Sequence, residues 1–448
     1  MESTRKYRYG TAGFRYLNEE IINICPQIAV GLMSLERMEF GIMVTASHNT
    51  AEYNGVKIVD DEGMMLGEEE EKELERIVNL GEKELGLLRE ELKGKSGVGV
   101  KKVRFGKDTR ESCDEIIRRI SNWMKKLGNG NRNGKVEVIL EGYCHTPLLH
   151  YLSTGFEREQ YFQVRKVELG RDIYVDCAGG VSDLMLKELN HPRLRGICGV
   201  GEKELNVGCG SEYIIHERLK PERVENGILG CSLDGDGDRI VFWVGEGEKV
   251  FVFDGDYIMS LWALYFKKKF GECVIVTTPY CHSNCAQFLE QKGIEVIYRA
   301  TGIKNLVREA RKHPVSVYFE ANGHGTAYIE REFEGLVLNQ LIGDGIYNIL
   351  TTIQILDELE MSVMDWKALF DKSNVRQFSV PVSDWKIEVN EIGDKILSPK
   401  YLQDYFDKLE GCGKIFARPS GTEPIIRVYL EGGEELEKEI KVLFSSPS

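Results

Sequence analysis

Four short stretches gather side chains that could do chemistry. Thr45-Ala46-Ser47-His48-Asn49 puts a hydroxyl at the end of an apolar run, beside an imidazole, with the amine of Lys57 ten residues on. A serine so placed can act as a nucleophile or a phosphoryl carrier; a Ser/Asn turn with a surface lysine reads the same way. Asp234-Gly235-Asp236-Gly237-Asp238-Arg239 sets three carboxylates at alternate positions with glycines between them. Such a loop can turn its oxygens onto one cation, and all-oxygen ligation suits a hard ion such as Mg2+. Without a counter-charge the three repel, which favours a metal over a solvated acidic turn. An EF-hand is excluded, because Arg239 and Gly245 stand where that loop needs Gly and Glu. Glu320-Ala321-Asn322-Gly323-His324-Gly325-Thr326 offers groups that can hydrogen-bond sugar hydroxyls or an amide. Arg418-Pro419-Ser420-Gly421-Thr422-Glu423-Pro424, with Arg427 beyond, combines backbone N–H groups, two hydroxyls and two guanidiniums. That set makes a phosphate cradle, or else a hairpin loop with a surface arginine.

Other motifs fall away. Gly94-Lys95-Ser96 resembles a Walker A ending, but Arg89 stands where the earlier glycine is required. No Gly-x-Gly-x-x-Gly follows a strand and opens a helix, so no dinucleotide site is read. The 11 cysteines include no Cys-x-x-Cys pair. Cys281, His282 and Cys285 fall together on an expected helix without a second ligand pair, and read as buried or partly buried thiols.

The elements that must position these loops show in the apolar spacing. Gly41–Thr45 reads as a strand, Glu68–Leu92 as one helix with a solvated acidic start, and Val100–Phe105 and Val136–Leu140 as strands. Gly94–Gly99 and Gly128–Gly134 read as loops by composition. A strand over Asp172–Val175 suggests a new unit beginning between about 150 and 170. From Cys273 the pattern alternates: strand Cys273–Thr278, helix Asn284–Gln291, strand Ile294–Tyr298, helix Ile303–Arg311, strand Val315–Phe319. This βαβαβ order predicts a parallel sheet covered by helices. Its strand ends are where open α/β sheets bind ligands, which strengthens the reading of the loop after Phe319. Helix-rich sequence from 345 to 372 leads into a small α+β tail, with strands Lys414–Ala417 and Ile425–Leu430 and a helix Glu434–Leu443. Short-motif inspection finds no internal repeat.

The 448 residues allow two to four domains and ample core, so no disulfide or metal staple is needed. A net charge of −14 disfavours coating nucleic acid or an anionic membrane. The longest apolar run, Ile258–Phe266, falls short of the ~18 residues a membrane span needs. No apolar stretch follows Met1-Glu2-Ser3-Thr4-Arg5-Lys6, so no signal peptide is read. Free cysteines in this number suit a reducing cytoplasm.

Taken in order, the four loops resemble those of the α-D-phosphohexomutase superfamily, from Gly10-Thr11-Ala12-Gly13-Phe14-Arg15 to Arg427. The Glu-Ala-Asn-Gly-His-Gly-Thr loop is most similar to the branch acting on N-acetylglucosamine phosphates; glucose and mannose mutases more usually carry Ser-Gly-His there. The resemblance implies an α/β fold of three related α/β domains and a smaller C-terminal α+β domain around a central cleft, with boundaries near 1–150, 151–245, 246–365 and 366–448. It implies reversible conversion of N-acetylglucosamine 6-phosphate to the 1-phosphate, a step toward UDP-N-acetylglucosamine. Mg2+ and a sugar 1,6-bisphosphate activator are implied, in a cytoplasmic monomer whose partners are sugar phosphates.

By the same resemblance Ser47 is the phosphoserine and, with Asp234, Asp236 and Asp238, a metal ligand. Lys57 is the general acid/base and Arg15 assists it. His48 and Arg239 line the transfer site. Thr301, Gly302 and Lys304 help distinguish substrate orientation, and Glu320, Asn322 and His324 meet the sugar. Arg418, Ser420, Gly421, Thr422 and Arg427 grip the non-reacting phosphate. Returning either phosphate to Ser47 implies that the intermediate turns over in the cleft, with the last domain moving on a hinge near 370–385. Two positions depart from the pattern: Thr50 replaces a usual Pro and Tyr53 a common Asp, which predicts a less stiff serine loop. The rival readings are a phosphoglucomutase or phosphomannomutase, a metal-dependent phosphatase, and a non-catalytic sugar-phosphate-binding regulator.

Overall fold

The computed structural model describes residues 6–10, 13–94, 100–128, 135–221, 224–331, 333, 335–372, 374–381, 387–409, 412–419 and 425–445. Thr11 and Ala12 of the first motif, the loop 129–134, most of Gly94–Gly99, and Ser420, Gly421, Thr422, Glu423 and Pro424 of the last motif lie outside them. So do 373 and 382–385 of the expected hinge. Two compact units form. One is built from the chain up to Val252 with Leu341–Leu350, the other from Phe253–Gln340 with Thr351 onward.

The first unit holds two five-stranded sheets. In the first sheet, β1 (Phe14–Leu17), β2 (Glu39–Val44), β3 (Tyr53–Asp60), β4 (Lys101–Lys107) and β5 (Val136–Tyr143) lie in the order β1-β3-β2-β4-β5. β2, β4 and β5 run parallel, and β3 returns antiparallel to β2 with Met43 opposite Lys57. The helix Cys113–Gly128 buries Cys113, Ile116, Ile117, Ile120, Met124 and Leu127, a three-to-four-residue spacing that lays one face on the core. The expected single helix over Glu68–Leu92 is two, Glu68–Val78 and Glu82–Gly94. Asn79 divides them: its side-chain amide donates to the Glu75 carbonyl and the Tyr7 carbonyl, capping the first helix.

The second sheet contains β6 (Ile173–Asp176), β7 (Leu194–Ile197), β8 (Leu229–Leu233), β9 (Ile240–Glu246) and β10 (Lys249–Phe253), in the order β10-β9-β8-β6-β7. β7, β6 and β8 are parallel and β9 returns antiparallel.

In the second unit, β11 (Val274–Thr277), β12 (Glu295–Tyr298), β13 (Val315–Phe319) and β14 (Gly325–Ile329) form the order β12-β11-β13-β14. β12, β11 and β13 are parallel and β14 antiparallel, so the alternation read from Cys273 onward is borne out. The apolar run Ile258–Phe266 lies inside the helix Gly255–Phe270, which is buried on nearly every side. Among the described residues no helix is long and apolar enough to cross a membrane. Cys281 and His282 precede the helix Ser283–Gln291 rather than lying on it; His282 caps it, its ring accepting from Asn284 N.

The tail forms β15 (Val375–Pro381), the short pair β16 (Glu388–Val389) and β17 (Ile396–Ser398), and then β18 (Ile415–Pro419) and β19 (Ile425–Glu431). β15, β19 and β18 make one antiparallel sheet, on which Ala417, Ile426, Val428 and Leu430 join Ile440 and Phe444 of the last helix in a core.

A repeat hidden from motif inspection shows in the strand order. The second and third sheets share one plan: two parallel strands, a third parallel strand on the far side of the first, and an antiparallel return. The first sheet has the same spatial order, β3-β2-β4-β5, with the hairpin first in the chain instead of last.

Candidate active site

The serine loop joins β2 to β3. Thr45 builds it: its hydroxyl accepts from Ser47 N at 2.9 Å and donates to Asp108 Oδ2 at 2.6 Å. Ser47 takes a left-handed backbone conformation, φ 54°, which costs a non-glycine residue about 1–3 kcal/mol and marks sites where the surroundings enforce a geometry. Those surroundings are Arg110, paired with buried Asp108, and Asn206. The Arg110 guanidinium donates to the carbonyls of Ser47 (3.3 Å) and Asn49 (2.6 Å); the Asn206 amide donates to the same two at 2.9 and 2.8 Å. A loop lacking the usual Pro at Thr50 is thus braced from outside.

Ser47 Oγ donates to Asp234 Oδ2 at 2.7 Å. The carboxylate loop joins β8 to β9, and the ligand oxygens of Asp234, Asp236 and Asp238 lie within 4.8 Å of one another, all buried. Gly235 permits the approach, since a Cβ there would sit 2.5 Å from the Ser47 carbonyl oxygen. Lys57, on β3, lies 2.5 Å from Asp236 and 2.8 Å from Asp238. Thr146 donates its hydroxyl to Asp236 Oδ2 at 2.5 Å and its N–H to the Asp236 carbonyl at 2.9 Å.

Charge is crowded here. Burial, then Asp238 and Asp236, push Asp234 well above the usual carboxylate range. Burial by itself would lower Lys57, but Asp236 and Asp238 outweigh it and hold the ammonium protonated. Burial, reinforced by Arg239 and Arg15, keeps His48 neutral; its Nδ1 lies 3.5 Å from Ser47 Oγ. Burial and then Arg239 lower Arg15 to about 10, so it stays cationic at neutral pH, and its guanidinium reaches Asn49 Oδ1 at 3.3 Å. Arg239 pairs with Glu212 at 2.7 Å and has its Nε 3.8 Å from Asp234. The donor set fits a hard divalent cation. It is all oxygen, it converges, and among the described residues the buried Asp236 Oδ1 accepts no hydrogen bond.

The second unit carries the remaining described residues. Glu320, Asn322 and His324 sit in the β13–β14 hairpin loop. Glu320 Oε1 accepts from Gly302 N at 2.9 Å, joining this loop to Thr301 and Gly302, which follow β12, and Asn322 Oδ1 accepts from His324 N at 3.0 Å. Lys304 lies in the first turn of the helix Ile303–Ala310. Arg418 and Arg427 stand directly opposite each other on β18 and β19. Another buried cluster, Asp256, Cys281 and Cys285, already has a counter-charge, because Lys372 lies 2.5 Å from Asp256. All 11 cysteines are free.

The structure therefore brings Ser47, His48, Lys57, Arg15, Asp234, Asp236, Asp238 and Arg239 together in one unit. In the other it joins Glu320 to Gly302 and sets Arg418 opposite Arg427. The sequence reading missed Asp108, Arg110, Thr146, Asn206 and Glu212. Asp108-Thr109-Arg110, directly after a strand, was a usable signal for the first two; the other three reach the site only through folding.

Three family models match the chain: phosphoacetylglucosamine mutase AMG1, domain III, over residues 246–337; phosphoglucomutase/phosphomannomutase, alpha/beta/alpha domain I, over 12–85; and the phosphoglucomutase/phosphomannomutase C-terminal domain over 380–444. Phosphoacetylglucosamine mutase of Homo sapiens is 30% identical, spanning 96% of this chain and 91% of its own. Phosphoacetylglucosamine mutase 1 of Schizosaccharomyces pombe is 29% identical over 96% of both. Among solved structures, an N-acetylglucosamine-phosphate mutase of the α-D-phosphohexomutase superfamily, in its substrate complex, aligns with a TM-score of 0.86 at 25% identity, covering 99% of this chain and 96% of that one. Aspergillus fumigatus N-acetylphosphoglucosamine mutase, in complex with GlcNAc-6P and magnesium, aligns with a TM-score of 0.85 at 27% identity, covering 99% and 95%. A serine-to-alanine form of that fungal enzyme is known in complex with glucose 1,6-bisphosphate.

Proposed function

The chain belongs to the phosphoacetylglucosamine mutase family, and from that premise we infer that it is an enzyme interconverting N-acetylglucosamine 6-phosphate and N-acetylglucosamine 1-phosphate, with Mg2+ and a bisphosphorylated sugar as cofactors. The observation that carries the reading is the Ser47 hydroxyl seated on Asp234 within three convergent buried carboxylates. A non-catalytic regulator gives no account of a serine held in that conformation against three convergent carboxylates; a metal-dependent phosphatase is separated by the phosphate-release arm of the test below.

In the proposed mechanism Ser47 carries the phosphoryl group. The bond from phosphorus to Ser47 Oγ breaks as one forms to O1 or O6 of the sugar; the sugar hydroxyl gives its proton to Lys57, and the Ser47 oxygen set free takes one back, the return step running the same exchange in reverse. The bisphosphorylated sugar then presents its other phosphate, which returns to Ser47. Asp234, Asp236 and Asp238, with the oxygen carried on Ser47, would hold Mg2+, which would offset charge on the transferring group. Lys57 is the general acid/base. Asp236 and Asp238 hold its proton in the present arrangement; with both carboxylates on a cation, burial would favour the neutral amine. Arg15 and Arg239 supply fixed positive charge, and neutral His48 can orient the serine oxygen. Thr301, Gly302 and Lys304 select orientation, Glu320, Asn322 and His324 hold the sugar, and Arg418 and Arg427 hold the non-reacting phosphate together with Ser420, Gly421 and Thr422.

The division into parts at 1–150, 151–245, 246–365 and 366–448 belongs to the proposal; the shared strand order of three sheets supports three related parts, with β10 of the second sheet falling beyond the boundary at 245. Eleven free cysteines support a reducing, cytoplasmic setting. Monomeric behaviour is checked by light scattering.

The test is a phosphorus NMR time course with Mg2+, catalytic glucose 1,6-bisphosphate and N-acetylglucosamine 6-phosphate, with glucose 6-phosphate in parallel. Growth of the N-acetylglucosamine 1-phosphate signal, faster than glucose conversion, supports the reading. Faster glucose conversion moves the protein to the hexose mutases. Net release of inorganic phosphate makes it a phosphatase, and no new sugar phosphate from phosphorylated enzyme makes it a regulator.

A further inference from the structure

The face of β18 and β19 that carries Arg418 also carries Phe416 and Tyr429, which lie opposite each other and stack with ring centroids 5.1 Å apart. The segment following β11, from Pro279 to Ser283, runs along this face and is fastened at both ends. Lys414 donates to the carbonyls of Cys281 (2.6 Å) and Pro279 (3.3 Å). Ser283 N donates to Glu431 Oε1 at 2.9 Å, and the same oxygen takes the Tyr429 hydroxyl at 2.9 Å. Between the fastenings Tyr280 sits edge-on to Phe416 and Tyr429, with centroids 5.0 and 5.6 Å away. Its hydroxyl accepts from Arg418 Nε at 3.1 Å, and the guanidinium carbon lies 5.5 Å from its ring centroid.

We propose that Tyr280 is a positioning residue for Arg418, fixing the guanidinium so that its two terminal nitrogens face the phosphate of the substrate. An arginine presents its donors as a rigid planar fork, and pinning Nε fixes that plane. A neutral hydroxyl does so without taking the positive charge, as a carboxylate would. Among the described residues, the bond to Tyr280 is the only hydrogen bond this guanidinium makes, so both terminal nitrogens stay available for a bidentate grip. Pinning also keeps Arg418 from turning away from the like charge of Arg427 opposite. Tyr280 follows β11, and Gly302 and Glu320 follow the parallel neighbours β12 and β13. The tyrosine thus ties the phosphate fork to the sheet that presents the sugar contacts, and fixes the spacing between the two.

The inference rests on the reading of Arg418 as a phosphate grip, and the experiment separates the two. Steady-state kcat and KM for N-acetylglucosamine 6-phosphate, competition by inorganic phosphate, and melting temperature are measured for Tyr280→Phe, Tyr280→Leu, Arg418→Ala and the double variant Tyr280→Phe/Arg418→Ala. Tyr280→Phe keeps the ring and its packing and loses only the tether. It is expected to melt like the parent, to raise KM and the phosphate inhibition constant about 10-fold, and to change kcat by less than about 2-fold. Tyr280→Leu raises KM further. In the Arg418→Ala background Tyr280→Phe adds nothing, because no fork remains to be positioned. A Tyr280→Phe KM equal to the parent's while Arg418→Ala weakens binding overturns the positioning role and spares the grip. Full additivity of the two substitutions overturns it as well. An Arg418→Ala variant with parental KM and phosphate inhibition overturns the grip itself, and the role of Tyr280 with it. Should Tyr280→Leu fail to fold, the Phe cycle decides.

Discussion

At the scale of residues, the arrangement turns on how Ser47 is held. Its hydroxyl is aimed by Asp234 and its carbonyl is clamped by Arg110 and Asn206, so the strained backbone is maintained by groups outside its own loop. On the proposed mechanism Ser47→Ala removes the phosphoryl carrier and leaves the sugar- and phosphate-binding groups untouched. Turnover should fall by at least about 10³-fold while substrate affinity changes little, as read by calorimetric titration beside the kinetic assay. Asn206→Asp keeps the shape and the tolerance of a left-handed backbone, φ 58°, but turns a donor into acceptors facing two carbonyl oxygens. We expect kcat to fall about 10- to 100-fold and the melting temperature to drop by several degrees, since two part-buried hydrogen bonds become repulsive. Parental kcat in the Asn206→Asp variant would mean the clamp is not needed to hold the serine.

At the scale of elements, each working loop joins the two strands of a β-hairpin. Ser47 lies between β2 and β3, the three aspartates between β8 and β9, and Glu320 to His324 between β13 and β14. In each sheet the first strand of that hairpin runs parallel to its other neighbour, so the loop leaves from the carboxyl end, where backbone groups and side chains converge. The β8–β9 loop must pass close to the serine loop. Gly235→Ala puts a methyl 2.5 Å from the Ser47 carbonyl oxygen, a backbone atom that cannot swing aside. The expected result is a loss of about 1–3 kcal/mol in denaturant melts, with at least a 10-fold lower kcat from the displaced serine. Equal stability and rate would show that the two loops have slack. The helical spacing of Glu68 to Leu92 was legible, but the break at Asn79 was not, because the capping partner Tyr7 lies 72 residues away.

At the scale of the molecule, the first unit contains a histidine that couples its stability to pH. His145 is fully buried, with Nε2 2.9 Å from the Tyr161 hydroxyl. Burial, then repulsion from Arg158, lowers it to about 3. Its folded value lies below the unfolded value of about 6.5, so the unfolded chain binds the proton more readily. The stability it contributes is fully present above pH 6.5 and is lost as pH falls toward 3, at up to about 1.4 kcal/mol per pH unit. Urea melts of the parent and of His145→Gln between pH 5 and 8 should show the parent's slope below 6.5 reduced in the variant; matching slopes would mean His145 takes up no extra proton on unfolding. The repeated strand order also belongs to this scale. Three sheets with unlike sequences place unlike chemistry at the same hairpin, which is why inspection of short motifs finds no repeat.

Residues that act through neighbours in the chain were readable from the sequence. Asp234, Asp236 and Asp238 lie at alternate positions with glycines between, so their convergence needs only a tight turn; Ser47 and Glu320 each sit in a contiguous polar loop beside an apolar strand, and Arg418 stands near the end of strand β18 rather than in the loop read from the sequence. The strands and helices from Cys273 to Phe319 were readable for the same reason, since periodicity is a local property. Tertiary structure alone decided what braces and aims these groups. Asn206 meets Ser47 across 159 residues, Lys57 meets Asp236 across 179, and Tyr280 meets Arg418 across 138. Spacing in the chain carries no information about such pairs, because long-range contacts are set by how whole sheets and loops pack, and many residue types satisfy that packing until one of them must also present a donor or a charge at a fixed point.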